Sequence, residues 1–364
     1  MTGDDDLGAW LRLLSSPGIG RDTARRLLAA FGSPQAIFDA APAARRTLLA
    51  PGQPDTLAEP PEAWPAQVET VARWLGGDGE RRVVTLGDAL YPVRLLETAD
   101  PPLLLFLHGR AELLARPSIA VVGSRNPTPQ GRENAQAFAA HLSREGWTIV
   151  SGLALGIDGA AHEGALAGGG STIAVLGTGV DRIYPARHEA LARRIAADGL
   201  LASEFPLGTP PLAPNFPLRN RLIAGLASGT LVVEAAVQSG SLITARLAAE
   251  AGREVFAIPG SIHSPLSRGC HALIKQGAKL VETADDVLTE LRPTDRTAAS
   301  PPVPTDGTRD PVLDALGHDP ATLDALGART GWSAADLAAR LLELELDGRV
   351  RRLPGGLFQR CATA

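Results

Sequence analysis

The sequence predicts an α/β protein whose central domain is a doubly wound parallel sheet, with a small helical domain before it and a winged helix after it. Between residues 116 and 292, short apolar runs alternate with helical stretches about seven times, which is typical of βαβ units. A Gly-x-Gly turn between short helices lies near the start of the chain. Three helical segments and a strand–turn–strand pattern lie at its end. These patterns predict three domains.

The N-terminal domain is predicted to span residues 1–80. Residues 7–40 have the pattern of short helices, and the turn Pro17-Gly18-Ile19-Gly20 joins two of them. Backbone N–H groups in such a turn can bind a phosphate, as in helix-hairpin-helix modules. The other interpretation is a tight interhelical turn in a small, SAM-like interaction domain. Residues 41–80 are rich in Pro, Ala and Gly and are predicted to form a connector with some helix.

The central domain is predicted to span residues 81–292. Residues 83–86 and a segment ending at Phe106 are predicted to extend the sheet that follows. The seven main strands are predicted at residues 118–122, 147–150, 172–176, 200–204, 230–234, 254–258 and 279–281. Right-handed crossovers place helices on both faces of such a sheet. Because its ligands bind at the carboxyl ends of the strands, the loops after the strands are the candidate site.

The C-terminal region is predicted to consist of a linker, residues 293–310, and a winged-helix domain, residues 311–364. The linker is rich in Pro, Thr, Asp and Ser. Helices are predicted at residues 311–316, 322–328 and 333–346, the last with Ser333 and Asp336 as its capping pair. Strands at residues 349–353 and 357–359 form the predicted wing. The acidic last helix favours a protein-contact or regulatory role over strong DNA binding.

Composition restricts the partners of the chain. Of its 364 residues, 45% are hydrophobic, but no run approaches the roughly 18 apolar residues of a membrane span. The acidic start does not resemble a signal peptide, and Cys270 and Cys361 lack metal or disulfide spacing, so we expect a cytoplasmic protein. The net charge is −5, yet residues 116–280 hold 15 basic and 11 acidic residues. An anionic partner is therefore predicted for the central domain.

Cofactor motifs are missing from the predicted loops. Neither the dinucleotide motif G-x-G-x-x-G nor the P-loop motif occurs, so we expect no cofactor and no metal. Asp158 and His162 have the spacing of neighbours on one helix face and could form a catalytic pair. The alternative is that Asp158 orients a loop and His162 is a buried neighbour. Since no nucleophile or ligand set completes a site, we expect no catalytic residues.

Three loops have the composition of an anion-binding surface. Gly123-Ser124-Arg125 combines close backbone approach, a hydroxyl and a guanidinium. The segment from Phe216 to Arg221 places an aromatic ring, which could stack on an unpaired base, ahead of basic residues at a predicted helix start. Ser239-Gly240-Ser241 begins another helix and has the pattern of an anion-binding nest. Ordinary capping and core packing are the alternatives.

Together these segments resemble the DNA-processing protein A family (DprA/Smf). The resemblance rests on Val121–Arg125, Ser151–Ala154, Gly156–Asp158, Phe205–Pro206, Phe216–Leu226, Val232–Ala235, Ser239–Ala245 and Ile258–Gly260. It implies an extended Rossmann-like, doubly wound parallel sheet that binds single-stranded DNA. It further implies a homodimer that loads RecA recombinase onto incoming DNA in natural transformation, in a family not known as enzymes.

The predicted DNA contacts follow from these motifs and loops, with Lys275 added from the predicted helix after Ser267-Arg268-Gly269. They are Gly123, Ser124, Arg125, Asn126, Gly152, Phe216, Arg219, Asn220, Arg221, Ser239, Gly240, Ser241 and Lys275. The alternative function is that of a nucleotide-cleaving, Rossmann-type phosphoribohydrolase. Such enzymes carry a Pro-Gly-Gly-x-Gly-Thr loop, which is missing here. A purely structural adaptor is disfavoured by the basic balance of the central domain.

Overall fold

The computed structural model describes residues 4–291, 310–317, 320–353 and 356–361. The predicted linker lies outside these ranges except for Asp310, and so does Pro354-Gly355 of the predicted wing turn. Within these ranges, no helix combines the length and the apolar character needed to cross a membrane.

The N-terminal region is helical. Its helices are α1 (Asp4–Ser15), α2 (Arg21–Phe31), α3 (Pro34–Asp39), α4 (Pro42–Arg46) and α5 (Trp64–Leu75). Trp10, Leu27 and Ile37 pack in their shared core. In the turn between α1 and α2, the carbonyl of Gly18 accepts a hydrogen bond from Gln53 Nε2 at 2.8 Å. Gln53 therefore ties this turn to the rest of the N-terminal region.

The central sheet has nine strands in the order β1-β2-β6-β5-β4-β3-β7-β8-β9. They are β1 (Arg81–Thr85), β2 (Leu104–Gly109), β3 (Ser118–Val122), β4 (Thr148–Ser151), β5 (Thr172–Val175), β6 (Leu200–Ser203), β7 (Gly229–Val232), β8 (Glu254–Ala257) and β9 (Lys279–Leu280). All seven strands predicted for the main sheet are confirmed and run parallel. The predicted extension is also confirmed, but β1 and β2 run antiparallel at the edge.

Helices cover both faces of this sheet. They are α6 (Val93–Leu96), α7 (Pro129–Arg144), α8 (Ile157–Ala167), α9 (Glu189–Asp198), α10 (Asn215–Leu226), α11 (Gly240–Glu250), α12 (Arg268–Lys275) and α13 (Ala284–Leu291). Along β3, Ile119 and Val121 pack against α7 and α8, whereas Ala120 and Val122 pack on the side of α10 and α11. Because strand side chains alternate between faces, this confirms the doubly wound prediction.

The C-terminal region is a winged helix, as predicted. It contains α14 (Pro311–Leu316), β10 (Ala321–Thr322), α15 (Leu323–Thr330), α16 (Ala334–Leu346), β11 (Val350–Leu353) and β12 (Leu357–Arg360). The predicted cap of α16 is confirmed, since Ser333 Oγ accepts a hydrogen bond from the Asp336 backbone N–H at 3.2 Å. Strand β12 pairs antiparallel with both β10 and β11.

Candidate nucleic-acid interface

A cleft of about 460 Å³ opens at the carboxyl edge of the sheet. It lies where the strand order reverses, with β4 on one side of β3 and β7 on the other. This reversal is where ligands of open α/β sheets bind. The predicted residues that line the cleft are Gly123, Ser124, Arg125, Phe216, Arg219, Asn220, Ser239, Gly240 and Ser241. Loops from three separate parts of the chain therefore meet as expected.

The loop after β3 is held rigidly against the end of β7. The backbone N–H of Ser124 donates to the carbonyl of Glu234 at 2.7 Å. A Cβ on Gly123 would lie 2.7 Å from Cγ1 of Ile157 and 2.9 Å from the Glu234 carbonyl oxygen, so only glycine fits there. The Glu234 carboxylate accepts from the Thr128 N–H at 2.9 Å, and burial raises its pKa. The exposed side chain of Arg125 stands at the end of this fixed loop.

Phe216 forms an aromatic wall of the cleft. The Arg125 Cζ atom lies 6.0 Å from the centroid of its ring, within cation–π range. On another side, the ring of Tyr184 lies 5.5 Å away, centroid to centroid, at an interplanar angle of 44°. Tyr184 was not among the predicted contacts, because it lies 32 positions before Phe216 and no local pattern joins the two.

The position of Arg219 differs from that expected of the predicted phosphate contact. Helix α10 begins at Asn215. Pro217 therefore lies in its first turn and not in a loop, and Arg219 lies in its second turn and not at the helix start. The side chain is 3% exposed and forms the cleft floor, where Nη1 donates to the carbonyls of Gly152, at 2.5 Å, and of Val175. Burial lowers the pKa of Arg219 to about 10, while the nearby charge of Asp158 opposes this shift. The positive charge of Arg219 therefore lies below the surface of the cleft.

Arg221 does not reach the cleft. Two residues along a helix turn the side chain by about 200°, so Arg221 leaves α10 on the face opposite to Arg219. There it pairs with Glu204 and, at 3.1 Å, with Asp100. Asp100 also binds Arg21 and Arg25 of α2, at 2.7 and 2.6 Å. Arg221, a predicted DNA contact, therefore lies outside the cleft lining, in a partly buried ion-pair network that joins the N-terminal helices to the central domain.

The start of α11 forms the opposite wall of the cleft. Ser239 Oγ accepts from the Ser241 N–H at 3.4 Å and contacts the Ser241 hydroxyl at 2.7 Å, which confirms its capping role. Asn220 connects the two walls, since its Nδ2 donates to the Gly240 carbonyl at 3.4 Å. The cleft also includes Gln238 and Thr244, which were not among the predicted contacts. Thr244 lies within the Ser239–Ala245 motif that carries the resemblance, whereas Gln238 belongs to no such motif.

Three other predicted contacts lie outside the cleft lining. Asn126 is exposed beside the mouth, where its N–H donates to Ser124 Oγ at 3.1 Å. Gly152 is buried under the floor, and a Cβ there would lie 2.5 Å from Arg219 Nη1. Lys275 is exposed at the end of α12. The structure thus gives Gly152 a packing role and leaves Lys275 apart from the loops that form the cleft.

Asp158 and His162 do not form a pair. Asp158 Oδ2 accepts from the backbone N–H groups of Gly152 and Ala154, at 3.1 and 3.3 Å, which confirms the loop-orienting interpretation. His162 Nδ1 contacts Thr172 Oγ1 at 2.7 Å, and this hydroxyl itself donates to the Ile149 carbonyl. The second ring nitrogen, Nε2, is buried and has no hydrogen-bond partner within the described part of the chain. His162 is therefore a neutral core residue.

The stability of the protein is expected to fall with acid because of His162. Burial lowers the pKa of His162 to about 3, so below pH 6.5 the unfolded chain takes up a proton that the folded protein does not. We expect wild type to lose about 1.4 kcal/mol more per pH unit than His162→Gln between about pH 6 and pH 4. Urea unfolding across this range tests it. Exposed His263→Gln is the control, and parallel profiles for wild type and His162→Gln would contradict the prediction.

Comparison with protein-family models covers all three regions. The model described as DNA recombination-mediator protein A matches residues 82–292. A DprA-like N-terminal HHH domain matches residues 4–56, and a DprA winged helix domain matches residues 296–356. The chain is 40% identical to Protein Smf of Escherichia coli K12 over 367 residues, which covers 96% of this chain and 95% of that protein.

Solved structures give the same result. The chain resembles DNA processing protein A (DprA) from Streptococcus pneumoniae with a TM-score of 0.69 and 39% identity, over 78% of this chain and 97% of that one. DNA processing protein A from Helicobacter pylori, whose structure is described for its single-stranded DNA binding mode, matches with a TM-score of 0.52 and 32% identity, over 58% and 95% of the two chains. The chain therefore belongs to the DNA recombination-mediator protein A family, also known as DprA/Smf.

Proposed function

We propose that the chain binds single-stranded DNA along the cleft. The observation that carries this proposal is the arrangement of Arg125, the Phe216 ring and the Ser239–Ser241 helix start around one opening. A guanidinium and a helix N-terminus bind phosphates, and an aromatic face stacks on a base. Only an unpaired base can leave its neighbours to reach such a face, so this combination favours a single strand over a duplex.

The electrostatics of the cleft support the same ligand. Its charged lining residues are Arg125, Arg219 and Asp158, which leave one positive charge in excess. Asp158 is held by two backbone N–H groups below the surface, and burial raises its pKa despite the charge of Arg219. A phosphate in the cleft therefore meets the exposed guanidinium of Arg125 first.

The cellular role that we propose is that of a recombination mediator. The chain would act as a homodimer that loads RecA recombinase onto incoming single-stranded DNA in natural transformation. Membership of the family and the reported single-strand binding of the Helicobacter pylori relative support this role. The direct test is the rate of RecA assembly on a single strand that is already covered by a single-strand-binding protein. No acceleration by the chain would contradict the loading step.

Replacing Arg125 by alanine is expected to weaken single-strand binding about tenfold, the size of one charge-assisted hydrogen bond. Because one phosphate contact is lost, the slope of log affinity against log salt should fall by about 0.7. Fluorescence anisotropy with a labelled oligonucleotide at several salt concentrations measures both values.

Arg116→Ala provides the matched control for this experiment. Arg116 is also an exposed arginine, but it lies just before β3, at the opposite end of the strand from Arg125. We expect its variant to bind as wild type does. Equal affinity of the Arg125 variant and wild type would refute the assigned site. Release of a free base from nucleoside monophosphates would instead support the phosphoribohydrolase alternative.

A further inference from the structure

Tyr184 is an exposed aromatic residue at the edge of the cleft. Its side chain is 48% exposed, although the ring contacts Phe216 at 5.5 Å. Phe216 itself is half-buried, and a Cβ on Gly177 would lie only 2.8 Å from a carbon of its ring. Phe216 therefore has limited free surface, whereas Tyr184 presents the larger open ring. Aromatic rings bury a large apolar area when they are covered, so an exposed ring beside a binding cleft is a candidate contact.

The two rings are inclined to each other by 44°. Neighbouring bases in a duplex are parallel and about 3.4 Å apart along the strand. Two bases that stack separately on Phe216 and Tyr184 would have to follow the planes of these rings, so they could not stack on each other. A single strand can adopt this splayed geometry because its bases are unpaired and its backbone is flexible.

A second hollow, of about 360 Å³, adjoins Tyr184. Tyr184 forms one wall, and Asp181, Arg182 and Glu189 are also part of the lining. The Asp181 carboxylate accepts from the Gly208 N–H at 2.9 Å, and Glu189 pairs with Arg193 at 2.5 Å. These three charged lining residues leave one negative charge in excess, which disfavours a phosphate in this hollow. The aromatic wall and the polar rim suit a base instead.

We propose that Tyr184 is a second stacking platform, which holds one unpaired base in this hollow next to the base on Phe216. The proposal rests on the proposed function, because the same strand must occupy the cleft. It extends the DNA path from the loop after β3 towards the start of α9. It also assigns a direct ligand contact to a residue outside the motifs that define the cleft.

Site-specific 2-aminopurine fluorescence tests the proposal. The probe is 2-aminopurine, because stacking on an aromatic ring quenches its fluorescence. A series of thymidine oligonucleotides of about 12 residues each carries one 2-aminopurine, at a different position in each oligonucleotide. With wild type we expect two neighbouring positions to be quenched. With Tyr184→Ala we expect one of them to regain its fluorescence, the other to stay quenched, and affinity to fall about tenfold. Tyr184→Phe should keep both signals, since the ring remains.

Leu90→Ala is the matched control, because Leu90 is a large exposed apolar residue outside the linings of the cleft and the hollow. Its oligonucleotide series should equal that of wild type. Binding with a single quenched position, or quenching that Tyr184→Ala leaves unchanged, would overturn the second platform but leave the proposed function intact. Failure of wild type to bind any single strand would overturn the proposed function and this proposal together.

Discussion

Alanine in place of Arg221 is expected to lower the free energy of unfolding by about 3–5 kcal/mol, although this residue does not line the cleft. The Arg221 side chain is 12% exposed and pairs with Glu204, whose side chain is 5% exposed. Among the residues that the structure describes, removing the guanidinium leaves this buried carboxylate only the longer contact to Arg21, at 3.4 Å. Chemical denaturation measures the loss of stability.

An exposed ion pair of the same chemistry provides the control. Arg26 pairs with Asp22 on α2, where their side chains are 50% and 78% exposed. Solvent screens such a pair, so we expect Arg26→Ala to change the free energy of unfolding by less than about 0.5 kcal/mol. A similar small effect for Arg221→Ala would show that the buried network contributes little.

The Arg221 effect should also depend on pH. Burial raises the pKa of Glu204 above its usual value, and loss of Arg221 would raise it further. A carboxyl whose pKa is raised by folding contributes stability below its ordinary pKa, and this contribution is lost as pH rises through the folded value. Destabilisation by Arg221→Ala should therefore be larger at pH 8 than at pH 5. Glu204→Gln in the same variant should remove this difference.

Arg219→Ala is expected to destabilise the protein by about 3 kcal/mol or more and to weaken DNA binding. It removes the donor to the Gly152 and Val175 carbonyls and leaves the buried charge of Asp158 without its guanidinium neighbour. Because the guanidinium is buried and bound to two carbonyls, we expect it to make no direct phosphate contact, so the salt slope of binding should stay near that of wild type. Denaturation and anisotropy on the same samples measure both effects.

Two comparisons make the Arg219 prediction specific. Arg125→Ala, an exposed arginine of the same cleft, should lower the salt slope but leave the free energy of unfolding within about 0.5 kcal/mol of wild type. Asp158→Asn combined with Arg219→Ala should recover part of the lost stability, because the unpaired buried charge is then gone. A reduced salt slope for Arg219→Ala would instead show that this side chain contacts a phosphate directly.

Much of the fold follows from the sequence because local chemistry determines it. The apolar runs predicted all seven main strands, since strands that are buried on both faces, such as β3, are largely apolar. The cap at Ser333 was also confirmed, because capping depends on residues only three positions apart. The two strands of the wing were confirmed as well. The resemblance of the loop motifs predicted the family, and the family models confirm it.

The tertiary structure decided which face each functional side chain occupies. Residue types alone could not separate Arg219 from Arg221, because the start of α10 at Asn215 determines their directions. Two other features involve residues that are distant along the chain. They are the antiparallel pairing of β2 with β6 and the contact between Tyr184 and Phe216. Such contacts depend on how whole elements pack. The sequence by itself therefore determined the elements and the position of the cleft loops, whereas packing determined which cations face a ligand and which are buried among carboxylates and carbonyls.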